Sequence, residues 1–154
     1  MPVEHVNAAS DEDLHQILLS CLHSPRWSSR VAEHRPYPDL DSLLAAADEA
    51  AYDLTWPDLI EALAAEPLPR LPEDTYSAAH TALSAAHAAY EARFGHVFVI
   101  CLDGVAPNEV LDHLLEGIRS RLTNDPEEER VVVADELRRL ARERLVDALR
   151  GAGL

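Results

Sequence analysis

A chain of 154 residues suits one domain built around one core. Its hydrophobic fraction of 47% is rich in alanine and only 5% of the chain is aromatic, a balance that favours closely packed helices over strands. Against 13 basic residues stand 28 acidic ones, and the formal net charge of −15 argues against nucleic-acid and membrane partners, whose phosphates it repels.

Ser10 predicts the N-cap of the first helix, with Asp11, Glu12 and Asp13 in its first turn and Leu14, Ile17, Leu18 and Cys21 as its apolar stripe. Ser24-Pro25 predicts a second start, for a short helix through Trp27 and Val31 that Pro36 and Pro38 break. Asp39 or Asp41 caps a third, with Leu43, Leu44, Ala47 and Ala50 facing inward. Thr55-Trp56-Pro57 opens a fourth that runs to about Glu66, because Pro67 does not continue it. Pro67, Pro69 and Pro72 then make a rigid extended connection. A long helix follows from about Glu73 to Phe94 and is ended by Gly95.

Residues 96–102 are the one strand-like run, apolar and β-branched, closed by Asp103-Gly104. A single strand forms no sheet, so this run is expected as an extended segment threaded among helices. Pro107 opens a helix to Leu122, and Asp125-Pro126 opens the last one, ending near Gly151. The expected fold is a single-domain, all-α bundle of about seven helices over residues 1–154.

The chain contains no lysine, so a Schiff-base lysine and a lysine-anchored pyridoxal phosphate are both excluded. Cys21 and Cys101 are too few for a disulfide framework or a four-ligand zinc site. With no basic-apolar leader near Met1 and no apolar run of transmembrane length, a reduced, cytoplasmic setting is expected. His80 and His87 lie seven apart, on one face with Tyr76, Leu83 and Tyr90, whereas a metal pair on a helix prefers a spacing of four. A packing face outweighs a metal site there, and no metal is expected.

Three other features point towards a site. The extended segment leaves amide and carbonyl groups in need of partners, which either a ligand or the neighbouring helices supply. Arg144 falls within the apolar stripe of Leu137, Leu140, Ala141 and Ala148, where it needs a carboxylate from a ligand unless it snorkels along the border by Leu145 and Leu149. Glu66 stands at a helix C-terminus, against the helix dipole.

Tyr90 with Arg93-Phe94-Gly95 and Phe98-Val99-Ile100-Cys101 forms a YxxRFGxxFVIC run, and Arg121-Leu122-Thr123-Asn124-Asp125 an RLxND run. Both resemble signatures of the 2-oxo-4-hydroxy-4-carboxy-5-ureidoimidazoline (OHCU) decarboxylases. Glu136-Leu137 through Arg144-Leu145 is similar to their terminal helix, and Cys21 to Trp27 to their CxSxxW segment. The resemblance spans nearly the whole chain. It implies an all-helical, cofactor-independent carboxy-lyase of urate breakdown that converts OHCU into (S)-allantoin, because the substrate's own ring serves as electron sink. The implied partner is a small heterocyclic acid, and a homodimer is left open.

By the same resemblance, Pro67, the segment Phe98, Val99, Ile100, Cys101 and Leu102, and Arg144 bind substrate. The family's catalytic histidine stands in an AHP motif that reads Ala65-Glu66-Pro67 here, which puts Glu66 in the catalytic place. The loop that carries the family's SxxEQ glutamate is shortened, and Glu73, the nearest acid, does not match its context. A diverged homologue that binds without decarboxylating, or acts on another small heterocyclic acid, is the alternative.

Overall fold

Local capping chemistry sets most of the helix starts. The structure, a computed structural model, describes residues 2–72 and 75–152. Ser10, Ser24, Asp39 and Thr55 each accept a hydrogen bond from a backbone N–H three residues on, opening α2 (Asp11–Cys21), α3 (Pro25–Glu33), α4 (Leu40–Tyr52) and α5 (Trp56–Ala65). At Thr55 the cap is reciprocal, because Asp58 accepts from the Thr55 backbone N–H at 3.0 Å. Asp125 and Glu128 exchange the same pair of bonds ahead of α8 (Pro126–Ala152).

Three expectations of helix bounds need correction. A helix, α1 (Pro2–Ala8), precedes Ser10, and it docks through Val3 and Val6, both buried. It is fastened by Asn7, whose amide donates to the Tyr37 carbonyl at 2.8 Å and accepts from the Tyr37 N–H at 2.7 Å. The long fifth helix of the sequence reading is α6, which starts at Ser77 instead of Glu73 and ends at Phe94, where Gly95 takes φ 80°. Glu73 lies outside the described residues. Pro107–Glu109 forms a 3-10 turn, and α7 (Val110–Arg121) begins only after it.

The fold is all-helical, with eight α-helices and no strand among the described residues. The 27-residue α8 is the axis: α1, α2 and α4 pack against it, and α3 closes onto α2 and α4. Its buried row is Val133, Leu137, Ala141, Leu145 and Leu149, a strict i, i+4 repeat. Arg144 sits on the edge of that row, not within it. Trp27 is fully buried in this core, with its indole N–H donating to the Ala47 carbonyl at 2.9 Å.

A second core joins α6 and α7 through Leu83, Tyr90, Leu114, Ile118 and Phe98. Residues 97–102 run between the two cores without strand pairing, Val99 in the first and Phe98 in the second. Gly117 permits the close approach of α7, since a Cβ there would meet Ile100 Cδ1 at 3.2 Å and Phe98 Cζ at 3.3 Å.

Candidate small-molecule site

The extended segment is held by helix side chains at two backbone groups. Its Val99 carbonyl accepts from Arg121 Nη1 at 2.5 Å, and the Cys101 N–H donates to Glu136 Oε2 at 2.7 Å. Arg121 is itself locked: its Nε donates to Glu129 Oε2 at 2.8 Å, its Nη2 lies 2.7 Å from the same oxygen and donates to the Tyr90 hydroxyl at 3.4 Å, and its guanidinium lies 4.4 Å from the Phe98 ring centre. The Tyr90 hydroxyl donates to the same Glu129 oxygen, and Asn124 Nδ2 donates to the other at 3.0 Å. Burial, and then the Glu129 carboxylate, hold the Tyr90 hydroxyl protonated by pushing its pKa up. The motif residues Tyr90, Arg121 and Asn124 therefore converge on a carboxylate, Glu129, that the sequence reading left without a role. Their visible work is structural.

Where the segment leaves this network, it walls a cleft of about 290 Å3, near the lower size of a small-ligand site. The opposite walls are the corner after α5, with Glu66, Pro67 and Pro69, and the α8 face carrying Leu140, Glu143, Arg144 and Asp147. Of the residues singled out from sequence, Glu66, Pro67, Val99, Ile100, Leu102 and Arg144 line this cleft. Phe98 and Cys101 do not. The Phe98 ring is core, packed on Tyr90 and His87. Cys101 lines a neighbouring depression of about 400 Å3 with Arg139, Arg142 and Arg150, and its Sγ donates to Glu143 Oε2 at 3.3 Å.

Glu66 and Arg144 meet. Arg144 Nη1 and Nη2 donate to Glu66 Oε2 and Oε1 at 2.8 and 2.9 Å, a two-pronged pair, and Nη1 also donates to the Cys21 carbonyl at 3.2 Å. The Glu66 side chain is 6% exposed and that of Arg144 is 30% exposed, so the pair is covered on the protein side and open on the cleft side. These bonds raise the guanidinium above its ordinary pKa and keep it charged. The carboxylate that Arg144 requires thus comes from the chain itself.

Burial raises the thiols of Cys21 and Cys101, which leaves both as poor nucleophiles. His80 and His87 do not pair: His87 is buried against Phe98, while His80 is partly exposed. Among the described residues no group of three or more His, Cys, Asp or Glu side chains is placed to hold a metal ion. Nor, among them, is any helix long and apolar enough to cross a membrane.

The family model for OHCU decarboxylase matches residues 7–74 and 68–146, and the chain belongs to that family. The fold is similar to a crystal structure of OHCU decarboxylase in the presence of (S)-allantoin, with a TM-score of 0.74 and 21% identity over 92% of this chain and 99% of that one. It is also similar to a crystal structure of (S)-allantoin synthase, with a TM-score of 0.75 and 16% identity over 95% of this chain. The chain spans about half of that second protein, 53% of its length. At these identities the two structures speak for the fold. No curated protein matches the sequence.

Proposed function

We propose that this chain is a cofactor-free decarboxylase of OHCU, or of a closely similar ureido-heterocyclic acid, working in the cleft between Glu66, Ile100 and Arg144. The reading is supported by one observation above all: in a member of this family, an acid and an arginine meet on the open side of a cleft of small-molecule size. In the reaction the bond from the ring carbon to its carboxyl group breaks, carbon dioxide leaves, and the electron pair passes into the ring system. A proton then returns to that carbon. The ring supplies the electron sink, so the protein's part is to turn the carboxylate out of conjugation and to manage the proton. Arg144 serves the first task and Glu66 the second.

The test is freshly generated OHCU, followed for (S)-allantoin formation against its spontaneous decay. Wild type is expected to accelerate the reaction and Glu66→Gln to abolish the acceleration at unchanged helicity. Glu66→His is expected to retain part of it. Full activity in Glu66→Ala would remove Glu66 from the mechanism.

One observation favours a second reading, binding without turnover: both prongs of Arg144 are already taken by Glu66. On that reading (S)-allantoin raises the melting temperature, but OHCU decays at its spontaneous rate.

A further inference from the structure

The geometry points to Glu66 as an internal occupant of Arg144, a carboxylate that an anionic ligand must displace before it binds. This rests on the reading of the cleft as the small-molecule site.

Charge makes the first argument. Three carboxylates, Glu66, Glu143 and Asp147, line the cleft with one guanidinium, that of Arg144. An entering anion therefore meets an acidic surround whose one cation is already neutralised, and like charges at contact distance repel by kilocalories unless water screens them.

The second argument is positional. Glu66 is the C-cap of α5, with extended backbone at φ −77° and ψ 132°. The helix dipole disfavours a carboxylate there. What holds it is Arg144, through bonds of 2.8 and 2.9 Å. The geometry is that of a bound ligand carboxylate, supplied in cis.

The third argument is access. Arg144 remains 30% exposed, so the guanidinium can change partners without the core opening. A carboxylate that takes its place leaves Glu66 beside the ligand, where the proposed reaction needs a proton-handling group. In the resting protein the same residue turns carboxylates away, while neutral rings, which do not need Arg144, are unaffected.

The test uses isothermal titration of the full chain with two probes, neutral (S)-allantoin and anionic hydantoin-5-acetate, on wild type, E66Q and E66Q/R144Q. Hydantoin-5-acetate should bind E66Q about tenfold more tightly than wild type, or better, as removal of a competing carboxylate implies. (S)-Allantoin should bind both alike, and the gain for the anion should vanish in E66Q/R144Q. Should E66Q fail to fold, E66D, which withdraws the carboxylate by one methylene, carries the same comparison. Equal affinity of the anion for wild type and variant overturns the inference, as does a gain that survives loss of Arg144, or binding of neither probe to any protein. An anion gain without OHCU turnover by wild type leaves this inference standing and removes the decarboxylase reading. Turnover without an anion gain does the reverse.

Discussion

Two guanidinium–carboxylate pairs flank the extended segment, and they differ in how far they are closed. Arg121 and Glu129, with side chains 8% and 1% exposed, are closed on every side by Tyr90, Asn124 and the Val99 carbonyl. Arg144 and Glu66 are as well aligned, but one edge of the pair faces a cleft. A buried pair whose every nitrogen and oxygen has a hydrogen-bond partner has little to offer a ligand; it fixes the backbone that crosses it. A pair open on one side can change partners. What separates the two pairs is the open edge of one of them, not their chemistry.

Breaking the closed pair should cost most. Glu129→Ala strands the Arg121 charge among Phe98, Tyr90 and the Val99 carbonyl, and the expected loss is about 3–5 kcal/mol, a large share of a small domain's stability. Urea denaturation followed by circular dichroism checks it. A loss as small as that of a surface substitution would mean that water reaches the site and that the closure is illusory.

Breaking the open pair should cost less. Glu66→Gln keeps an acceptor for Arg144, and the cleft side lets water solvate the guanidinium, so about 1 kcal/mol of destabilisation is expected. If the same denaturation experiment gives a loss equal to that of Glu129→Ala, Glu66 is a structural residue and the contrast between the pairs fails.

Much of this was legible because it was local. The caps at Ser10, Ser24, Asp39 and Thr55 act over three residues, and both the residue and its partner lie in one short window. The helix α1 was not legible: its two buried valines form no stripe, and its place depends on docking near Tyr37, 30 residues away from Asn7. The start of α6 was set too early because its N-cap, Tyr76, makes no side-chain cap bond and offers no signal.

The candidate site was legible in parts but not as a whole. Glu66 stands out as an acid set against a helix dipole, and Arg144 as a cation within an apolar stripe and in need of a carboxylate. Nothing in sequence says that residues 78 apart satisfy one another. Glu129 does carry a signal in the sequence: it precedes Val133 and Leu137 at the i, i+4 spacing of the buried row. The resemblance implies that the whole FVIC run lines the pocket. The alternation of extended backbone instead sends Phe98 into one core and Val99 towards the other.

An effect similar in size to that of Glu66→Gln, and opposite in sign, concerns His87, which borders the closed region. Both ring nitrogens are buried without a hydrogen bond, although the Pro69 carbonyl is near enough to raise its pKa slightly against a larger lowering by burial. With the folded-state value depressed, the unfolded chain takes up the proton first. Stability from this residue is therefore full above the ordinary histidine pKa and is lost as pH falls through the depressed, folded-state value. His87→Leu should be stabilising by about 1 kcal/mol, through removal of an unsatisfied buried group, and should flatten the melting temperature between pH 7 and pH 5. An unchanged slope would show that His87 has a solvent path.

The account's central claim is that the open pair, and not another depression, marks the ligand site. A larger apolar groove of about 580 Å3, walled by Tyr52, Trp56, Arg130 and Val131, offers the natural competitor. The direct measurement is a titration of the isotopically labelled chain with (S)-allantoin, read by NMR shift changes residue by residue. The account predicts that the changes gather at Glu66, Ile100, Leu102 and the Arg144 guanidinium, with Arg121 and Glu129 still. Changes centred on Trp56 and Val131, or none at saturating ligand, would contradict it.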